Sequence, residues 1–410
     1  MAQTLSAKNF GFDIVNDVVT TNKTVFLRCD FNVPIRNNQI LDDSRILASL
    51  ETINYLIKTG AKVVIGTHIG RPKNNDQSLS TKIIANYLDK KLRAQCYYVD
   101  DCIKGRNDIF KADYGDIVIL ENLRFYKQEE DCDMTFASIL ADGMNLFVND
   151  AFSCSHRSHA SILGIPIFIR PVAGFQLAKE ISSLERIFKN NTKNTIAILG
   201  GSKVSTKIDI LNNLTKKVRT LVIGGAMANT FLHYKGANIG NSLYEQNQEE
   251  KIKEIYQNAQ ENNCQIILPE EFVVSIKPEN IAKKRNINIS DIKSDDIILD
   301  VCVSFVEKLK PLFMASDAIL WNGPLGLFEV EAFSHGTKAL INLIADCSKK
   351  QQIITIAGGG DSVAAINTTD RFNDFSFVSN AGGAFLEYIE GRILPGIEVL
   401  KRLSSATLPY

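Results

Sequence analysis

Neither net charge nor a cysteine pattern points to a macromolecular partner or a metal centre. Across 410 residues, 46 Lys and Arg balance 46 Asp and Glu, so no global charge steers the chain toward nucleic acid or an anionic membrane surface. The eight cysteines form no CxxC pair and no Cys/His spacing of a zinc site, which makes reduced thiols in a cytoplasmic protein the expectation. No apolar run approaches the ~20 residues needed to cross a bilayer. Residues 1–12 lack a basic stretch followed by an apolar one, so no secretory leader is expected there. Neither GxxxxGK[ST] nor GxGxxG occurs, which argues against a P-loop and against a dinucleotide fingerprint. With 45% hydrophobic and 22% charged residues, the chain still has ample material for a globular core.

What is present is an alternation of short apolar runs with longer segments of helical period. The runs are Thr24–Cys29, Lys62–Thr67, Tyr97–Val99, Ile117–Glu121 and Asn145–Asn149, then Thr195–Leu199, Thr220–Gly224, Gln265–Leu268, Ile297–Asp300, Ala318–Trp321 and Ile353–Ala357. Apolar throughout and separated by helical stretches such as Arg45–Lys58, they read as strands of parallel sheets buried on both faces. The class is α/β. The polar stretch Lys189–Asn194 marks a seam after a helical pattern that starts near Phe175, giving two α/β domains of similar size, with parallel sheets flanked by helices, joined by a helix. The expected boundaries are 1–174, a connecting helix 175–190, and 191–392.

In open α/β sheets a ligand sits beyond the carboxyl ends of the strands, so the residues after each run carry the function. In the first half these are Asp30 and Asn32, His68 and Arg71, Arg124, and Asp150 with His156, Arg157 and His159; Arg45 opens the helix after the first loop. One such arginine is most simply a solvated surface residue, but four basic strand-end loops in succession suit a compact ligand bearing carboxylate and phosphate. His156 and His159 fit an ordinary capping loop as well, and zinc lacks a third ligand of suitable spacing.

In the second half the strand ends turn to glycine: Gly200, Gly201, Ser202 and Lys203; Gly224 and Gly225; Asn322, Gly323, Pro324 and Gly326; Gly358, Gly359, Gly360, Asp361 and Ser362; Gly382 and Gly383. Glycine lets backbone N–H groups approach phosphate oxygens at helix N-termini, and Asp361 is placed to hold Mg²⁺ on those phosphates. A lone GGGD is weak, because strand-to-helix turns often need glycine, but five such loops on one edge suit a nucleotide. Together the halves suggest phosphoryl transfer from one anion to another. No proton then has to be removed, and charge neutralisation by Arg45, Lys203 and Lys207 is what remains.

The stretches RCDFNVP (28–34), DDSRI (42–46), HIGRP (68–72), ENLRF (121–125), NDAFSCSHRSHAS (149–161), ILGGSKVSTKI (198–208), GGAMANTFL (224–232), WNGPLGLFE (321–329), GGGDS (358–362) and LPG (394–396) resemble the phosphoglycerate kinase family, in the family's order over nearly the whole chain. The resemblance implies reversible transfer between 1,3-bisphosphoglycerate and MgADP, giving 3-phosphoglycerate and MgATP. It implies that Asp30, Asn32, Arg45, His68, Arg71, Arg124 and Arg157 hold phosphoglycerate, with Arg45 also reaching the transferring group. Lys203 would stabilise the phosphoryl in flight, Lys207 would contact the nucleotide phosphates, and Asp361 would carry Mg²⁺. Gly201, Ser202, Asn322, Pro324, Glu329, Gly358, Gly359, Gly360 and Ser362 would line the nucleotide site. The family further implies a monomer that closes two Rossmann-like domains about a hinge helix, with residues 393–410 packing back on the first domain and Ser404–Tyr410 among them.

Four positions depart from the family pattern. Val301, Cys302 and Val303 replace a Gly-Pro after an aspartate, and Pro269, Glu270 and Glu271 replace Pro-x-Asp. Ala381 takes the place of a glycine before Gly382, and Thr206 that of an aspartate. The first pair is expected to alter base or ribose fit, and the Cβ of Ala381 to narrow a turn needing positive φ, with reduced turnover or altered nucleotide preference as the consequence. Two other readings stand beside the enzyme. A nucleotide-binding paralogue that has lost transfer is opposed by the retained Arg45, Lys203 and Asp361, and a Rossmann-type oxidoreductase is opposed by the missing fingerprint. Cys29 and Cys154 border the proposed ligand loops, and inert thiols are expected there.

Overall fold

The computed structural model describes residues 10–73, 75–188, 194–279, 284–351 and 353–404. The expectations for the seam at 189–193 and for the last residues, 405–410, lie outside the described residues. The chain divides into two compact units, Met1–Ser182 with Ile393–Tyr410 and Ser183–Arg392; the division falls inside the helix Phe175–Phe188. Among the described residues no helix is long and apolar enough to cross a membrane.

The first unit carries β1 (Thr24–Arg28), a two-stranded ribbon of β2 (Ile35–Arg36) and β3 (Gln39–Ile40), then β4 (Lys62–Gly66), β5 (Cys96–Val99), β6 (Ile117–Leu120), β7 (Leu146–Asn149) and β8 (Pro171–Ala173). Apart from the ribbon they form one parallel sheet in the order β5-β6-β4-β1-β7-β8. β1, β4, β6 and β7 are buried along their whole length, as continuous apolar runs require when helices cover both faces. The helix Ser44–Lys58 buries Ile46, Ser49, Ile53 and Leu56, the three- and four-residue spacing that places one stripe against a sheet. Because β4 and β7 flank β1 on opposite sides, the loops after β1 and β7 diverge and leave a crevice at the sheet's carboxyl edge. The helix Pro395–Ser404 belongs to this unit: Leu394, Ile397 and Leu400 are buried, and Gly396 N donates to Ser155 O at 2.8 Å.

The second unit carries β9 (Thr195–Leu199), β10 (Thr220–Ile223), β11 (Gln265–Ile267), β12 (Glu271–Ser275), β13 (Arg285–Asn288), β14 (Ile297–Val301), β15 (Ala318–Asn322), β16 (Ile354–Gly358) and β17 (Phe377–Ser379). Its parallel sheet runs β11-β10-β9-β15-β16-β17, the dinucleotide-fold order, with the crevice between β9 and β15. Trp321, fully buried in β15, donates from Nε1 to Gly323 O at 2.7 Å and stacks on Phe375.

One strand differs from expectation. β14 does not join the parallel sheet but pairs antiparallel with β12, in a ribbon ordered β13-β12-β14. An apolar run satisfies a ribbon covered on one side as well as a central strand, and Ile297, Ile298 and Leu299 are only half-buried. β8 and β17, three residues each at sheet edges, are too short to stand out as runs. Pro171 leading β8 is tolerated because an edge strand can spare a donor.

Candidate active site

Beyond the carboxyl edge of the first sheet, β1 delivers Asp30 and Asn32, β4 delivers His68, and the turn after β6 delivers Arg124. Asp30 is the hub. Its Oδ2 pairs with Arg45 Nη1 and accepts from Ser153 Oγ, and its Oδ1 accepts from Asn32 N at 3.2 Å. Asn32 Oδ1 takes the Gly70 amide at 2.8 Å, and Arg124 Nη1 donates to Gly70 O at 2.7 Å, so the loop bearing Arg71 is clamped from two sides. Burial lowers the Arg124 pKa, and its buried Nε has no hydrogen-bond partner among the described residues. Arg71 and Arg157 are exposed on the rim.

Sequence reasoning missed Arg28 and Glu129. Arg28, 1% exposed, donates from Nε to Ser161 Oγ at 2.8 Å and pairs with the fully buried Glu129 at 3.9 Å. Its signal was present as one charged residue ending an otherwise apolar strand. Burial first, then the Arg28 guanidinium, holds the His68 pKa well below the usual histidine range; the same causes push His159 down to about 4. Asp30, His68 and Cys154 bring ligand-type atoms within 4.8 Å of one another. Arg28 donates to both His68 and Cys154, however, and Arg45 covers Asp30. Guanidinium donors therefore already occupy the approaches to those atoms, and the surface is suited to an anion rather than to a cation.

In the second unit the loops after β9 and β15 touch backbone to backbone. A Cβ on Gly323, which sits at φ 89°, would lie 2.4 Å from Gly200 O, so only glycine fits. Lys207 Nζ donates to Gly200 O at 2.7 Å and to Asn322 Oδ1 at 2.6 Å, tying both loops together. Burial lowers its pKa to about 8, with Asp361 acting in the opposite direction. Asn322 Nδ2 donates onward to Gly358 O at 2.7 Å, and Gly323 N donates to Ser362 Oγ at 2.6 Å. Asn322 and Ser362 thus brace the loops by hydrogen bonds to the protein. Gly359, at φ 97°, passes so close to Asn322 Nδ2 that a Cβ there would be 2.3 Å away.

A cavity of about 410 Å³ opens on this edge. It brings together Gly201, Ser202, Pro324, Glu329 and Asp361 of the expected residues, and adds an aliphatic wall of Leu243, Pro278, Ile297, Ile298, Leu299, Leu325 and Leu327. Gly358, Gly359 and Gly360 lie outside its lining, at the start of the helix Gly360–Asn367. The wall comes partly from β14: Leu327 N donates to Leu299 O at 2.8 Å, fastening the loop after β15 to the ribbon. Lys203 is exposed, and its carbonyl accepts from Thr206 Oγ1 at 3.1 Å.

The structure places three of the departures away from the geometry expected of them. Glu270, Glu271, Cys302 and Val303 do not line the cavity; Glu271 is engaged with Ser304 and Lys308 instead. Ala381 is not among the residues with positive φ, and the left-handed position is the retained Gly382, at φ 55°. The methyl group of Ala381 is buried, and its amide donates to Ser379 Oγ at 3.2 Å. Ala381→Gly is therefore expected to change kcat and the KM values for ADP and GDP by less than about twofold in steady-state assays, as for substitutions away from strained backbone.

The profile of the family described as Phosphoglycerate kinase matches residues 15–392. The phosphoglycerate kinase of Wolbachia pipientis wMel is 42% identical over 386 residues, covering 93% of this chain and 96% of the relative. That of Bartonella tribocorum is 41% identical over 392 residues, covering 95% and 99%. Among solved structures, phosphoglycerate kinase from Coxiella burnetii matches with a TM-score of 0.88 at 36% identity, covering 95% of this chain and 99% of that one.

Proposed function

The chain belongs to the phosphoglycerate kinase family, and from that membership we propose how its residues divide the work. The enzyme is a phosphotransferase with a carboxyl group as acceptor, exchanging a phosphoryl group between 1,3-bisphosphoglycerate and ADP in glycolysis. In the proposal the first unit binds phosphoglycerate through Asp30, Asn32, Arg45, His68, Arg71, Arg124 and Arg157. The second binds the nucleotide, with its base and ribose in the aliphatic cavity by Pro324 and Glu329, and its phosphates on the glycine loops around Gly201, Ser202, Lys207 and Gly358 to Ser362. The observation that carries this reading is the contrast between the two carboxyl edges, one of guanidinium and imidazole groups and one of backbone amides, Lys207 and an aliphatic cavity.

Both acceptors are already anions, so the protein's part is to position the reactants and neutralise the passing phosphoryl, assigned here to Arg45 and Lys203. Charge-assisted contacts set the magnitudes. Arg124→Ala is expected to raise the KM for 3-phosphoglycerate about tenfold and leave that for MgATP unchanged, measured in an assay coupled to a dehydrogenase. Equal shifts in both would count against the division.

Magnesium belongs to the same proposal. Asp361 offers a hard oxygen ligand at a helix start lining the cavity, the donor type such an ion takes alongside substrate phosphates. When bound, the ion would neutralise phosphate charge. Asp361→Asn is expected to raise the Mg²⁺ concentration for half-maximal activity about tenfold; an unchanged requirement would remove Asp361 from the metal site. A cytoplasmic monomer that closes about its hinge completes the proposal: the free cysteines among the described residues fit a reducing compartment, and the monomer and hinge rest on family membership alone. A fall in the radius of gyration in solution scattering, seen only with both substrates, is its test.

A further inference from the structure

β1 ends in a buried arginine whose bonds leave the neighbouring histidine little choice. Arg28 Nη2 lies 3.3 Å from His68 Nδ1, in hydrogen-bonding geometry, and 3.8 Å from Cys154 Sγ; Nη1 is spent on Cys29 O and Nε on Ser161 Oγ. A guanidinium carries only donors and keeps its charge in proteins. The ring nitrogen facing it must therefore accept, and the imidazole proton resides on Nε2.

We propose that Arg28 is a positioning residue for phosphoglycerate: it locks His68 as the neutral Nε2–H tautomer, so that the ring meets the anionic substrate as an uncharged donor and affinity does not follow histidine titration. The inference rests on the assignment of His68 to the phosphoglycerate site above. The surroundings agree. The groups acting on His68 are Arg28 from β1, Asp30 from the loop after it, Arg45 from the helix Ser44–Lys58, Arg124 from the turn after β6, and Cys154 and His159 from the segment after β7.

Of these only Asp30 is anionic, and it is engaged with Arg45 and Ser153; burial keeps the Cys154 thiol protonated by raising its pKa. Glu129 balances Arg28 without neutralising His68's surroundings, because its carboxylate is tied to Ser161 N at 2.9 Å and Ser161 Oγ at 2.5 Å. No hydrogen bond from His68 Nε2 to a described residue accompanies the one at Nδ1, although the side chain is only 3% exposed. The remaining donor is thus left for a ligand.

The test uses the full-length enzyme with ¹⁵N-labelled histidine. Long-range ¹H–¹⁵N spectra should show His68, one of five histidines, in the neutral Nε2–H form and unchanged from pH 5.5 to 8. A ring that titrates in that range, or carries its proton on Nδ1, overturns the inference without any variant. A double variant, Arg28→Gln with Glu129→Gln, removes both buried charges together so that neither is left unpaired. In it, burial and Arg124 still hold His68 neutral, but the ring should lose its fixed tautomer, its ¹⁵N shifts averaging between the Nδ1–H and Nε2–H forms, and the KM for 3-phosphoglycerate should rise at least threefold. The KM for MgATP should not follow it. If both tautomers appear in the double variant while the KM for 3-phosphoglycerate stays within twofold of wild type, the lock on the ring stands and the assignment of His68 to substrate falls, taking the positioning role with it; a ring that keeps the Nε2–H form without Arg28 overturns the lock.

Discussion

Arg45→Met is expected to lower kcat by about 10³, with both substrates saturating, because a cation on the transferring phosphoryl group contributes on that order in phosphoryl transfer. The side chain is 30% exposed and pairs with Asp30, at 12%. A pair that open to solvent adds ~0–1 kcal/mol to stability, so the variant should fold with Tm lowered by less than about 4 °C. Asp30 keeps its bonds to Ser153 and to the Asn32 amide, which limits the damage to the reacting end of the site. Arg45→Lys restores the charge without the planar fork and should recover only part of the loss. A kcat within tenfold of wild type for the Met variant would show that Arg45 binds substrate without touching the group in transfer.

Much of this site could be read from the sequence because parallel sheets display their chemistry in a fixed place. β1, β4, β6, β7, β9, β10, β15 and β16 announce themselves as apolar runs, and the residue types that follow them change from Arg and His in the first half to Gly in the second. What stayed hidden depends on contacts between segments far apart in the chain. The place of β14 in the ribbon turns on which neighbour covers an apolar run, and with it went the aliphatic wall of Ile297, Ile298 and Leu299. Glu129 lies 101 positions after Arg28 in an acidic stretch, Glu129 to Asp131, where nothing local distinguishes the buried carboxylate from its solvated neighbours. Ala381 was misjudged because a glycine-rich string does not say which member takes the left-handed conformation; that is Gly382.

Lys207→Met should lower kcat/KM for MgATP by roughly 10²–10³, the size of effect expected when one preorganised donor to a developing or bound oxyanion is removed. The ammonium is held by Gly200 O and Asn322 Oδ1 before any ligand arrives, so its placement costs little on binding. Its pKa near 8 makes the pH dependence specific. A bound polyphosphate favours the charged form, so nucleotide affinity should be full below pH 7 and weaken through pH 8, by up to tenfold per unit above it. Stability runs the other way. A lysine whose folded pKa lies below its unfolded one costs stability fully at low pH, and the cost is released as pH rises from about 8 toward the ordinary lysine range. Methionine removes that cost while leaving Gly200 O and Asn322 Oδ1 without their donor, two opposing effects that leave the fold intact. The alkaline limb of the nucleotide KM profile should therefore flatten in Lys207→Met while the 3-phosphoglycerate profile keeps its shape. A limb that persists in the variant would place the titrating group elsewhere on the glycine-lined edge, and Lys207 would be left as a brace between the loops after β9 and β15.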